Sequence, residues 1–192
     1  MAISMGDLDK KCFKGAGFNA IQRAITEMYG EAGLKKVLDA GSAELRQFSS
    51  RKVLDNEWIP DRIGSDLMIT ADRVFGRGDY ALIRKIGAWV AKDNLKGIYK
   101  VYIKMTSISG LLRRADQIWS QYFNTGSVKV LLAEPKHYQF EVVDYIPDPD
   151  TCIGVLGWLD VFIEAYKVKG VASHPECKLK GHNRCIFDIK LD

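Results

Sequence analysis

The chain has 192 residues, 47% hydrophobic and 27% charged, with 28 Lys and Arg against 24 Asp and Glu for a formal net charge of +4. That length suits one domain over 1–192 that buries its core without disulfide staples, and the composition excludes a disordered chain. No apolar stretch approaches the ~20 residues of a membrane span. The first residues carry acids and no apolar run, which predicts no secretory leader and a cytoplasmic protein whose cysteines are thiols or metal ligands more often than disulfides. Basic residues fall as scattered pairs (Lys10–Lys11, Lys35–Lys36, Arg84–Lys85, Arg113–Arg114), the pattern of solvated helix faces rather than of direct nucleic-acid contact.

The first two-thirds, about 15–124, reads as a helical bundle. Phe18, Ile21, Ile25 and Tyr29 recur at helical spacing, Gly30 stops the run, and 33–39 forms a short second helix. Residues 42–48 add a turn or two. Trp58-Ile59-Pro60 announces a new element, and Pro60-Asp61 fits the first turn of a helix carrying Ile63, Leu67, Thr70 and Val74 on one face. Gly76 and Gly78 break it, and Asp79 is the expected cap of the next helix, through Leu82, Ile86, Trp89 and Val90. A longer helical pattern runs from Gly97, through Tyr99 and Ile103, to about Phe123, with a kink expected at Ser109-Gly110.

Residues 125–192 read differently. Alternation over 127–133 and 138–145 predicts a β-hairpin. Asp148 then serves as an N-cap before Pro149, opening a helix to about Tyr166 that is apolar almost all round. Such a helix is buried on two sides, here between sheet and bundle. Strands over 168–173 and 184–191 complete a β-β-α-β-β unit. The expected fold class is α+β: a helical bundle packed with a four-stranded antiparallel sheet and a buried helix.

Three of the four cysteines share the last quarter. His174 and Cys177 stand two residues apart in one turn, Cys185 enters the last strand, and Cys152 lies in the first turn of the buried helix. Three thiolates and one imidazole make a common tetrahedral structural zinc set, and a helix N-terminus favours the Cys152 thiolate. Glu176 or His182 can take the place of His174, and Asp150 is a remote candidate. The competing reading makes the cysteines small buried hydrophobes. Cys12 is an unassigned thiol near the N-terminus. Trp58, Trp89, Trp119, Tyr122, Phe123 and Trp158 are candidates to line an apolar ligand cavity, although an aromatic at helical spacing, taken singly, is more often a core residue. Signals for an enzyme are weak: there is no phosphate loop, no Gly-x-Ser-x-Gly elbow and no His-Glu-x-x-His pair. His137 starts a strand and reads as exposed rather than catalytic, and none of the three histidines sits on a helix where a haem ligand belongs.

The helical region, the hairpin, the helix opened by Asp148-Pro149 and Cys152, and the Cys177-x7-Cys185 spacing before the closing strand together resemble the 4-vinyl reductase domain. The resemblance covers about 18–191, with its specific part at 152–187. It implies a fold shared with TRAPP vesicle-tethering subunits and, more distantly, with haem-NO-binding domains. It further implies a sensory domain that binds a hydrophobic or aromatic small molecule beside a zinc ion held by three Cys and one carboxylate. The carboxylate position is His174 here, a departure that keeps a competent ligand but changes the charge of the site. Expected partners are the hydrophobic molecule and either a second copy of the chain or a signalling protein. The alternatives are a TRAPP-like scaffold acting through its surface and an enzyme of vinyl or tetrapyrrole chemistry.

Overall fold

The structure, a computed structural model, describes residues 10–96, 103 and 105–192. The chain enters through a short strand, β1 (Cys12–Lys14), and continues into α1 (Gly15–Ala40), which breaks at Gly30, where φ is 74°. Next comes α2 (Ala43–Ser49), whose N-cap Ser42 accepts a hydrogen bond from the Leu45 amide at 3.1 Å. Trp58–Pro60 form β2, antiparallel to β1 with Phe13 opposite Ile59. Helices α3 (Asp61–Phe75) and α4 (Ala81–Asn94) follow.

The turn between α3 and α4 is held differently from the sequence expectation. Asp79 does contribute, accepting from the Ala81 amide at 3.0 Å. The principal cap is Asp72, buried on the preceding helix, which accepts from the amides of Tyr80 and Leu82, each at 3.1 Å. A buried carboxylate is tolerated there because it satisfies amides that a helix N-terminus leaves unpaired.

Of the long helix expected from Gly97, residues 97–102 and 104 lie outside the described residues. The remainder is two pieces, α5 (Ile108–Leu112) and α6 (Ala115–Tyr122). Ser109 and Gly110 sit inside α5, and breaks fall on either side of it, at Thr106–Ser107 and at Arg113–Arg114. The hairpin follows as β3 (Ser127–Glu134) and β4 (His137–Val143). Then come α7 (Pro149–Ala165), β5 (Gly170–Glu176), a single 3-10 turn at Lys178–Lys180, and β6 (Cys185–Leu191). The four strands form one antiparallel sheet in the order β3-β4-β6-β5. The α+β class is therefore as expected, and no helix among the described residues is long and apolar enough to cross a membrane.

Helix α7 joins the two halves, as its all-round apolar pattern demands. Leu156, Leu159 and Ile163 pack with Phe140, Phe187 and Ile189 of the sheet, while Ile153 and Trp158 reach the core formed by α1, α3 and α4. On the bundle side α7 meets α4 backbone to backbone. A Cβ on Gly87 would come within 2.5 Å of the Gly154 carbonyl oxygen, and one on Gly157 within 2.7 Å of the Ala88 nitrogen. Only glycine permits that approach. Arg84 then clamps the crossing, its Nε and Nη2 each 2.7 Å from the Asp160 carboxylate.

Candidate functional site

Where the two cores meet around α7 they leave a cavity of about 230 Å³. Its wall takes Phe13 from β1, Ile21 from α1, Met68 from α3, Val90 from α4, Leu112 from α5, Phe140 from β4 and Leu159 from α7, and is almost wholly apolar.

Four of the six aromatic residues expected at a ligand site line this cavity: Trp119, Tyr122, Phe123 and Trp158. Trp119 and Phe123 stack at 4.3 Å, and Tyr122 meets Trp158 edge-on at 5.7 Å. The Trp119 indole N–H donates to the Thr125 carbonyl at 2.9 Å, which fixes that ring. Trp58 and Trp89 are elsewhere. Trp58 is 42% exposed on β2, under the Lys14 ammonium at 3.7 Å. Trp89 packs on the outer side of the helical core, beside Asn19, Arg23 and Asp93.

The cavity has an acidic end, built where α3 and α7 both begin. Asp61 and Ser65 line it from α3, Asp150 and Thr151 from α7. Behind them lies a buried ion cluster: Lys11 Nζ stands 2.7 Å from Asp61 Oδ2, also bonds Asp148, and lies 4.0 Å over the Tyr145 ring. Burial alone would depress the Lys11 pKa, but the carboxylates of Asp61 and Asp148 outweigh it and raise it. Burial pushes Asp61 up to about 7, with Lys11 opposing and Asp148 adding to the rise. Asp148 also loses hydration, yet Lys11 and the hydrogen bonds it accepts leave it below the ordinary carboxylate value. Asp150 is pushed well up, by burial first and then by Asp148, and its Oδ1 has no hydrogen-bond partner.

Sequence reasoning missed this cluster. It treated Asp148 as a cap and Asp61 as a first-turn acid, and both descriptions hold: Asp148 Oδ1 accepts from the Thr151 amide at 2.8 Å. First-turn acids are ordinarily solvated. Nothing in the spacing says that two helix starts and Lys11 converge.

The cysteine group is assembled on the far side of α7. Ligand atoms of Cys152, His174, Cys177 and Cys185 lie within 4.8 Å of one another. Glu176 points away, paired with Arg184 at 2.9 Å, His182 is exposed, and Asp150 belongs to the acidic cluster. His174 stacks on Phe187 at 4.2 Å, its Nε2 buried and without a hydrogen-bond partner. Burial, reinforced by Cys177 and Cys185, raises the Cys152 thiol far above its ordinary value. Burial, with Lys180 and His182, lowers His174 to about 4. In this state Cys152 is a neutral thiol beside a neutral imidazole, and the three cysteines form an apolar cluster of their own. Cys12 is held in β1, its amide donating to Asn124 Oδ1 at 2.7 Å. His137 is half-buried, its Nε2 2.7 Å from Asp188.

No protein-family model matches the chain, and no curated protein matches it in sequence. Solved structures do match in fold. An H-NOX protein from S. oneidensis in the Fe(II)NO ligation state aligns over 93% of this chain and 99% of its own, with a TM-score of 0.74 at 13% identity. An oxygen-binding H-NOX domain related to soluble guanylate cyclases, in its oxygen complex, aligns over 93% and 95%, with a TM-score of 0.70 at 14% identity. An H-NOX structure described for the function of heme distortion aligns over the same shares, with a TM-score of 0.70 at 15% identity. The chain has the H-NOX fold. Of the families the sequence resemblance brought in, the haem-NO-binding fold is the one these matches support; the 4-vinyl reductase assignment is not. The zinc expectation is corrected with it. Zinc as cofactor leaned on that assignment, and the solved structures sharing the fold are described by iron and heme.

Proposed function

We propose that this protein is a small-molecule-binding sensory domain, a single unit over 1–192, that takes a compact hydrophobic or aromatic ligand between its helical bundle and its sheet. The observation that carries this reading is the 230 Å³ apolar cavity walled by Trp119, Tyr122, Phe123 and Trp158. An engineered cavity of about 150 Å³ with an apolar lining holds benzene, so this one has room for a substituted single ring. Residues from both halves of the chain form the wall, so occupancy alters the packing between them. That change is the signal a second copy of the chain or a signalling partner would read. The likeness in fold to gas-binding domains supports the same class of role.

The residues do not fit haem. None of His137, His174 and His182, and no cysteine, lines the cavity, so the usual imidazole or thiolate axial ligand is missing. Among the described residues, the acidic or basic groups in the lining are Asp61 and Asp150, which oppose the propionates of a haem.

Native mass spectrometry of the freshly purified protein tests the reading. The expected spectrum shows the chain with one retained hydrophobic molecule, or, after stripping, one added molecule of a substituted benzene. A spectrum that stays at the bare chain mass under both conditions would sink it.

A further inference from the structure

On the reading that the cavity is the ligand site, its acidic end restricts what it accepts. Asp150 is 6% exposed, faces the cavity, and keeps Oδ1 without a hydrogen-bond partner. The other polar groups nearby are committed elsewhere. Asp148 accepts from the Thr151 amide and from Lys11, Asp61 pairs with Lys11, and Tyr145 donates to Thr151 Oγ1 at 3.0 Å. Lys11 pairs with Asp61 and Asp148 and does not line the cavity, whereas Asp150 has a hydrogen bond with Asp148 and no cationic side chain beside it.

We propose that the ligand is a small ring-bearing molecule with one cationic amine, its ring among Trp119, Tyr122 and Trp158 and its ammonium on Asp150 and Asp61. A plain hydrocarbon fills the apolar space but leaves the Asp150 oxygen unsatisfied. An alcohol satisfies it with a neutral hydrogen bond, whereas an ammonium favours the ionised carboxylate and donates a charge-assisted one to it. A carboxylate brings a further negative charge to this acidic end and is disfavoured there. The hydrophobic contacts thus supply general affinity, and Asp150 supplies the choice among ligands of equal size.

Three phenylalkyl probes separate the possibilities: 2-phenylethylamine and propylbenzene, which are matched in size, and the slightly larger 3-phenylpropanoate, titrated calorimetrically into the intact protein at pH 7. The amine is expected to bind about ten-fold or more tighter than propylbenzene, and 3-phenylpropanoate more weakly than either. In Asp150→Asn the amine loses about ten-fold while propylbenzene keeps its affinity. Asp61→Asn, measured the same way, gives a smaller loss for the amine alone and serves where the first variant fails to fold. Propylbenzene binding as tightly as the amine, or the amine unaffected in both variants, overturns this inference and leaves the cavity reading intact. Failure of all three probes to bind overturns both.

Discussion

Asp61 shows how much a single residue owes to its surroundings. As the first residue of α3 it would favour the helix dipole if solvated, but burial beside Asp148 moves its pKa from 3.8 to about 7. Between those values the native protein holds a proton that the unfolded chain has lost, so Asp61 lowers stability as pH rises through that window. Asp148, shifted down, and Lys11, shifted up, titrate outside it. His174 has the opposite slope from 6.5 down to about 4, so the clean comparison is between wild type and Asp61→Asn. Relative to wild type, the variant should gain roughly 2 kcal/mol between pH 5 and pH 8, read from urea unfolding midpoints. A difference that stays constant, or moves the other way, contradicts the environment described. None of this was legible in the sequence. An acid in a helix first turn looks the same whether water or a second carboxylate faces it, and the convergence of Lys11, Asp61 and Asp148 depends on residues far apart in the chain.

Elements were more readable because periodicity reports burial directly. The hairpin, the two-sided burial of α7 and its Asp148-Pro149 start all follow from pattern and capping chemistry. What escaped was short or set by partners. Strands β1 and β2 have three residues each, too few to alternate, and the cap of α4 comes from Asp72 one helix earlier. The glycines of the α4–α7 crossing give the sharpest test at this scale. Gly87→Ala and Gly157→Ala push a methyl into the facing backbone and should each cost about 1–3 kcal/mol. Gly154→Ala should instead stabilise by up to ~1 kcal/mol: its Cβ would meet only Met68 Cε, at 3.8 Å, and the helix loses an unfavourable glycine. Urea denaturation of the three variants decides it. The same sign for all three would mean that the helices do not cross as described.

At the scale of the whole molecule, the α+β class and the grouping of three cysteines with His174 were visible in the sequence, but the cofactor was not. Residue types and spacing say which side chains converge; they do not say what the assembled group holds. Without a metal, the group is a buried tie between α7 and the β5–β6 turn. Metal analysis of the purified protein should find no stoichiometric zinc, and a chelator should leave the thermal midpoint unchanged; one bound zinc per chain, lost with stability on chelation, would reverse that. The cavity itself was legible only as a set of aromatics. Trp119 and Trp158 reach it, whereas Trp58 and Trp89 do not, because helical spacing places a side chain on a face without saying which neighbour covers that face. The most direct test is a titration of propylbenzene followed by tryptophan fluorescence, in the wild type and in Gly154→Leu. Gly154 lines the cavity, and a side chain added there enters open space. Saturable one-site binding to the wild type, weakened about ten-fold or more by the leucine, is the predicted result. No saturable binding, or equal binding by both proteins, would contradict the assignment of this cavity as the ligand site.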